Sequence, residues 1–301
     1  VRFWGYELEL TTRNIVKKNF SWESKLVLSY QQNKVLKLPD NGIAKNRTGG
    51  IALGDGTFFG GIAEGEPLNR FYGYVATGII ETEEQAANAN YDALSRLPQK
   101  GAKRVGDYEW ADRNGDGQIT TADQFCLGVT VPPFTGGLQN SFRLKNWTLS
   151  LYLDWATGHS IFDESYSRYF YGTFTNNYAL AKDVLKAWKK PGDKTKYAKF
   201  YANDSNWGND NYNRRATNTF TYKGDYLCLR EITLQYSLPS KLFTKVGLKG
   251  VTLTVSGNNL YYFTEVKGIS PEAGSSTTYD GDVFYNYPPI RRFSFGVRLI
   301  F

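Results

Sequence analysis

The sequence predicts an all-β chain, a segment of a transmembrane antiparallel β-barrel that carries long extracellular loops. Three observations predict it. In Arg292 to Phe301, apolar residues fall on every second position (Phe293, Phe295, Val297, Leu299, Phe301), with Arg292, Ser294, Gly296 and Arg298 between them and Ile300 as the exception. That period means a strand with one oily and one wet face. A strand stopping on Phe301, with Ser294, Gly296 and Leu299 before it, resembles the terminal signal read by barrel-assembly machinery. In Trp147 to Trp155 the outward set is Trp147, Leu149, Leu151, Leu153 and Trp155, against Thr148, Ser150, Tyr152 and Asp154. Tryptophan at both ends of such a stripe matches the aromatic belts at two membrane interfaces. Aromatic residues also make up 16% of the chain, with 22 Tyr, 19 Phe and 7 Trp.

The remaining elements follow in order. Trp4, Tyr6, Leu8 and Leu10 alternate with Gly5, Glu7, Glu9 and Thr11, and Lys17-Lys18-Asn19 is a turn. Phe20 to Leu38 closes a long hairpin with them. Asp40 to Gly61 is glycine-rich, with turn signals at Asn41-Gly42 and Gly49-Gly50. Arg70 to Ile80 is aromatic and strand-like, and Glu81 to Leu97 reads as a short surface helix. Phe134 to Leu144 and Trp147 to Trp155 are strands joined by a tight turn at Lys145-Asn146. His159 to Phe220 is a long excursion with a helix expected at Ala179 to Lys189. Tyr222 to Tyr236, Gly250 to Phe263 and Ile290 to Phe301 complete the set, with a turn at Pro239 to Leu248 and a second long loop at Thr264 to Pro289. If every short turn lies on the periplasmic side, the crossings between Lys17–Asn19 and Lys145 are even in number. Counting Arg70 to Ile80 as one of them requires a further short crossing around Phe58 to Glu66, and gives about nine strands.

The formal net charge is +7, with Lys and Arg spread over turns, loops and strands rather than gathered into a basic helix, so nucleic acid is not expected as a partner. No apolar run reaches the roughly eighteen residues of a transmembrane helix. The spacing of Cys126 and Cys228 matches no metal motif, and two free thiols are expected, with a disulfide as the alternative. The chain begins at Val1 inside a strand pattern, and the strand count is odd. Both suggest a piece of a longer protein, with any plug domain and signal peptide upstream.

Several stretches, taken together, resemble the SusC/RagA family of TonB-dependent outer-membrane transporters. They are Trp4-Gly5-Tyr6-Glu7 with Phe20-Ser21-Trp22; Gly65-Glu66-Pro67 with Phe71-Tyr72-Gly73-Tyr74 and Gly78-Ile79; and Asp112 to Asp123 with Leu127-Gly128 and Pro133…Gly137. Leu227 to Pro239 and Ser256-Gly257-Asn258-Asn259-Leu260 with Phe263-Thr264 continue the series, which covers nearly the whole chain. The resemblance implies that residues 1–301 form the C-terminal portion of a 22-stranded barrel in the bacterial outer membrane, facing lipid. It also implies an N-terminal plug, a SusD-like surface lipoprotein as partner, energy delivered through TonB, and uptake of oligosaccharides or peptides without enzymatic turnover. The alternatives are an outer-membrane enzyme or adhesin on a similar barrel, and a soluble β-sandwich glycan-binding protein.

Candidate chemistry is sparse. Asp112, Asn114, Asp116, Gln118 (through its carbonyl) and Asp123 fit the spacing of a Ca²⁺ loop, with Gly117 at the sharp turn; Mg²⁺ is the other hard cation. Asp123 replaces the usual Glu at the twelfth place. The same residues would also make an ion-free loop held by Asx turns. A Ser-His-Asp triad would have to use His159, the single histidine, near Ser160, Asp154 and Asp163, and Asp163 with Glu164 is the adjacent acid pair. Both are weaker than a polar residue at an interface. The substrate-binding candidates are Tyr166, Tyr169, Phe170, Tyr171, Trp207 and Tyr212, set among Asn176, Asn177, Asn203, Asp204 and Asn209. Aromatic faces beside amides suit sugar rings or peptide backbones; the alternative is that these rings pack the loops on one another or on a lid partner. Arg292 and Arg298 face a lumen, toward solvent, a plug or substrate.

Overall fold

A computed structural model of the chain describes residues 1–49, 51–52, 58–59, 61–68, 70–93, 103–163, 166–167, 170, 180–200, 218–243, 247–272 and 289–301. Its main body is a seven-stranded antiparallel sheet. The strands are β1 (Arg2–Lys17), β2 (Phe20–Lys34), β3 (Phe134–Leu144), β4 (Trp147–Thr157), β5 (Tyr226–Ser237), β6 (Gly250–Thr264) and β7 (Arg292–Ile300), each bonded to the next in sequence. This is an up-and-down meander, the topology of one wall of a barrel.

Register makes the wall two-faced. Tyr6, Tyr30 and Phe134 lie in one row across β1, β2 and β3, and Leu10, Leu26, Leu138, Leu153, Leu229 and Tyr261 in another. The intervening rows hold Glu9, Lys25, Gln139, Tyr152, Glu231, Asn258 and Arg292. A one-residue slip would exchange the faces, so the pattern fixes the register. No described element covers the apolar face: Tyr6 is 76% exposed and Phe295 81%. Near the short turns the aromatic residues pair, Trp22 with Phe142 (5.7 Å between ring centroids) and Trp147 with Tyr236 (4.4 Å). One polar chain interrupts the oily face. Asn14 Nδ2 donates to Ser24 Oγ (2.7 Å), while Ser24 Oγ and Trp22 Nε1 both donate to Asn140 Oδ1 (2.7 and 2.9 Å). These groups satisfy one another within the wall.

The expectation of nine strands is corrected to seven in this sheet. Arg70–Gly73 and Ala76–Ile79 are four residues each and Phe58–Phe59 is two, far short of the roughly ten a crossing needs. They pair outside the sheet, with Phe125–Val129, Tyr108–Trp110 and Ile51–Ala52 respectively. Parity still holds, because β2 and β3 supply two crossings where four were expected. The turns after β1, β3 and β5 share one end of the wall. There the Lys145 amide donates to the Asn19 carbonyl (2.8 Å) and the Ser237 amide to the Asn146 carbonyl (2.9 Å).

Candidate functional site: the loop layer at the barrel mouth

The described parts of the connections 35–133 and 158–225 leave the other end of the wall and fold together into one layer. Its core contains Phe71, Tyr74, Tyr108, Trp110, Ile119, Phe162, Phe170, Ala187, Ala198 and Phe220, drawn from both connections. Burying an aromatic side chain contributes roughly 1.5–3 kcal/mol, which offsets the cost of ordering long loops. Cross-links confirm the docking: Tyr108 Oη donates to the Lys196 carbonyl (2.9 Å) and the Lys199 amide to the Gly106 carbonyl (2.8 Å). Gly106 has φ +98°, and a Cβ there would lie 2.7 Å from Lys199 Cβ, so both the turn and the close approach require glycine.

The surface helix expected at Glu81 to Leu97 is present in shorter form as α1 (Glu83–Asn88), capped by a reciprocal Thr82–Gln85 box. The helix expected over Ala179 to Lys189 is corrected to a 3₁₀ turn at Lys182–Lys186 without a side-chain cap. Ala187 then turns extended (ψ 150°), which lets the Trp188 amide bond the Tyr197 carbonyl (2.9 Å) and the Trp188 ring bury.

Of the aromatic substrate candidates, two lie within the described residues. Phe170 is fully buried and stacks on Tyr197 at 4.4 Å, so it offers no face to a ligand. Tyr166 is half-buried against Phe170 and Phe220, and its hydroxyl donates to Asp183 Oδ2 (2.6 Å). Burial, with Asp183 second, raises its pKa above the tyrosine range. For these two the structure supports the loop-packing role. Tyr169, Tyr171, Trp207 and Tyr212 lie outside the described residues, as do Asn176, Asn177, Asn203, Asp204 and Asn209.

The Asp112–Asp123 loop stands on its own hydrogen bonds. Asp112 accepts from the amides of Gly115 (2.7 Å) and Gly117 (2.8 Å), and chiefly the Gly117 bond holds its carboxyl below the usual range. Asn114 Oδ1 accepts from the Asp116 amide (3.2 Å), and Asp116 Oδ1 from the Gln118 amide (2.8 Å). Gln118 enters the short parallel pair Gln118–Ile119 with Tyr91–Asp92. Asp123 points inward and is fully buried. Its two oxygens take the amides of Arg113 (2.9 Å) and Thr120 (2.7 Å). Among the described residues no three His, Cys, Asp or Glu side chains gather to hold a metal.

His159 is buried just past β4. Its Nε2 bonds the Pro271 carbonyl (3.2 Å) and its ring lies against Gly224, where a Cβ would be 2.3 Å from Nε2. Burial lowers its pKa, and a bond to a carbonyl requires a proton on Nε2. It therefore faces a carbonyl rather than a hydroxyl nucleophile. Asp163 is buried, accepts from the Tyr166 amide (2.8 Å) and is raised in pKa by burial; Glu164 lies outside the described residues. Both cysteines are free, Cys126 exposed and Cys228 buried on β5.

Among the described residues the layer and the wall carry several openings. A recess of about 590 Å³ is lined by Thr77, Asn88, Asn90, Glu109 and Asp112 among others, with the Glu109 carboxyl raised in pKa by burial. A smaller one of about 140 Å³ lies on the polar face at Gln139, Ser150, Tyr152 and Glu231. Arg292 and Arg298 sit on that same face, opposite Asn258 and Thr252. Sequence reasoning missed Arg230, whose guanidinium bonds Asp154, Asn259, Tyr262 and Glu272 on that face. The signal was available: Arg230-Glu231 breaks the alternation of β5 with two charged residues in succession.

No protein-family model matches the chain. It is 30% identical over 310 residues to the TonB-dependent receptor P3 of Formosa agariphila, covering 99% of this chain and 28% of that receptor. It is 23% identical to the TonB-dependent receptor SusC of Bacteroides thetaiotaomicron, covering 99% and 26%. Among solved structures, the RagAB peptide transporter superposes with a TM-score of 0.71 at 20% identity, over 99% of this chain and 29% of that one. The chain therefore spans a little over a quarter of the length of its relatives. It carries a sheet with one apolar and one polar face, the fold of the RagAB barrel wall, and over almost its whole length it matches TonB-dependent receptors, SusC among them.

Proposed function

We propose that the chain forms part of the barrel and mouth of an outer-membrane nutrient importer, its outer face against lipid and its polar face lining the lumen. The observation that carries this is the meander itself, seven strands with one face uncovered and apolar and the other polar, topped by a packed loop layer. In this reading the unpaired edges of β1 and β7 join the remaining strands of the barrel. The β-sandwich alternative needs a second sheet over Leu149, Leu151 and Leu153, and the described residues supply none. The enzyme alternative rests on His159, whose ring is engaged by Pro271 and packed on Gly224.

Uptake is proposed to draw on TonB and to run with a SusD-like lipoprotein, without turnover of the cargo. A peptide cargo is proposed from the likeness to the RagAB peptide transporter, and an oligosaccharide cargo from the resemblance of the sequence alone. The test is uptake of labelled oligosaccharide and peptide mixtures by the producing cells with and without the full-length gene and with TonB disabled. Loss of uptake in both deletions supports the reading, and unchanged uptake of every mixture overturns it. The Asp112–Asp123 loop is proposed to be structural. A Ca²⁺ or Mg²⁺ ion would take Asp112, Asn114, Asp116 and the Gln118 carbonyl, with Asp123 as the strut beneath, and calorimetric titration with each ion decides whether one binds.

A further inference from the structure

Arg230 lies in a double irregularity of the wall. Register shifts between Leu229 and Glu231 against β6, and between Tyr152 and Leu153 against β5, leave Arg230 as the extra residue opposite Asn259 and Leu260. Asn259 has φ +53°, a left-handed conformation that asparagine tolerates better than most residues. Bulges interrupt the ladder, and they persist where they aim a side chain.

Here the aim is specific. A guanidinium carries five N–H donors in a fixed fork, and each of the five has an acceptor. Nε and one Nη2 hydrogen go to the two oxygens of Asp154 on β4 (2.7 and 2.8 Å). Nη1 donates to Asn259 Oδ1 (2.8 Å) and to Tyr262 Oη (3.0 Å) on β6. The last Nη2 hydrogen goes to Glu272, which Tyr262 Oη also approaches (3.2 Å). The guanidinium is 5.6 Å from the centre of the Tyr262 ring.

Two of these partners lead to the same connection. Glu272 stands in its first residues, and the neighbouring Pro271 carbonyl is bonded by His159. Asn259 spends its other amide group on the Ile290 carbonyl (3.3 Å), in the last residues before β7. One side chain thus reaches the departing end of the β6–β7 connection directly and the returning end through Asn259.

We propose that Arg230 is a positioning residue that fixes both ends of the β6–β7 connection to the lumen-side wall of the barrel mouth, with Asp154 as its anchor. All five donors are spent inside the protein, so Arg230 serves as a fastener rather than as a binding site for an anionic cargo. Lysine cannot replace it, because an ammonium has three donors and no fork. The assignment goes beyond the import reading and does not depend on what is carried.

The test is hydrogen exchange by mass spectrometry on the full-length receptor in detergent, read at residues 265–272, at residues 290–292, and at Phe134–Leu144 as a control strand. Glu272→Gln keeps the Arg230–Asp154 pair and should speed exchange on the order of tenfold at 265–272 alone. Asn259→Gly keeps the backbone conformation and should speed it at 290–292 alone. Arg230→Gln and Arg230→Lys should speed it at both. If Arg230→Gln fails to fold, Glu272→Gln and Asn259→Gly carry the test. Unchanged exchange at 265–272 in Glu272→Gln overturns the proposal. So does faster exchange at Phe134–Leu144 in Glu272→Gln or Asn259→Gly, which would mean general loosening rather than positioning.

Discussion

Leu151 is the middle of the five outward positions between Trp147 and Trp155, flanked across the ladder by Asn140 and Ile232. At about 3.3 Å per residue and a strand tilt of about 40°, it lies roughly 10 Å below either interfacial tryptophan, near the middle of the apolar band. Placing arginine there, on the lipid side, should cost about 2–4 kcal/mol, which is roughly a 30- to 700-fold drop in the folding equilibrium. Ser150→Arg, one residue away, points the same charge into the polar face beside Thr233 and Ser141 and should change stability little. The assay is denaturant titration of the full-length receptor in bilayers, read by tryptophan fluorescence and by heat-modifiable gel mobility. A cost for Ser150→Arg equal to or larger than that for Leu151→Arg would refute the assignment of faces.

Three further outcomes follow from the loop layer. Phe170→Ala should cost about 3–5 kcal/mol in that layer, seen as faster proteolysis of the connections while heat-modifiable mobility of the barrel is kept. Asp123→Ala removes the acceptor from the part-buried Arg113 and Thr120 amides and should destabilise the Asp112–Asp123 loop by about 1–3 kcal/mol in all, read as faster exchange at Arg113 and Thr120. His159 has a folded pKa below its ordinary 6.5, so the unfolded chain takes the proton first as pH falls. Nε2 donates to Pro271 in either form, but the closed segment that buries the ring is fully favoured above about 6.5 and becomes less so as pH falls toward the depressed folded value, because opening releases the ring to take a proton. The charged groups around it are Asp225, whose field favours the proton, and Glu272, next to Pro271. Exchange at residues 269–272, corrected for intrinsic rates, should rise over that window in the native protein and lose this pH step in His159→Gln.

The wall was legible because its physics is local. Period two in Trp147 to Trp155 and in Arg292 to Phe301 needs no distant information, and both strands stand where the alternation put them. The loop layer was not legible, for a physical reason. Phe71 and Tyr74 sit in aromatic stretches that look strand-like, but they are buried in a small core assembled from two connections far apart in sequence. Pattern alone does not separate a short buried strand from a membrane crossing, and parity accepts two crossings as readily as four. The same ambiguity attached to Phe170 and Tyr166: an aromatic residue set among polar neighbours suits a ligand or a core, and only the burial of Phe170 decides. The Asp112–Asp123 spacing gave the loop and its glycines, but the inward turn of Asp123 depends on Thr120 and Arg113 amides that no motif specifies. Arg230 escaped because its partners Asp154, Asn259 and Glu272 come from three separate stretches.

The central claim is that the uncovered apolar face meets lipid. It is tested most directly by spin labels placed one at a time at each position from Trp147 to Thr157 in the full-length receptor, reconstituted in bilayers. Collision with oxygen and with a water-soluble nickel chelate is then measured for each label. The account predicts a period-two pattern, with oxygen favoured at Leu149, Leu151 and Leu153, greatest at Leu151, and the chelate favoured at Ser150, Tyr152 and Asp154. Chelate access at Leu149, Leu151 and Leu153 equal to that at their neighbours, or no alternation along the strand, would contradict it.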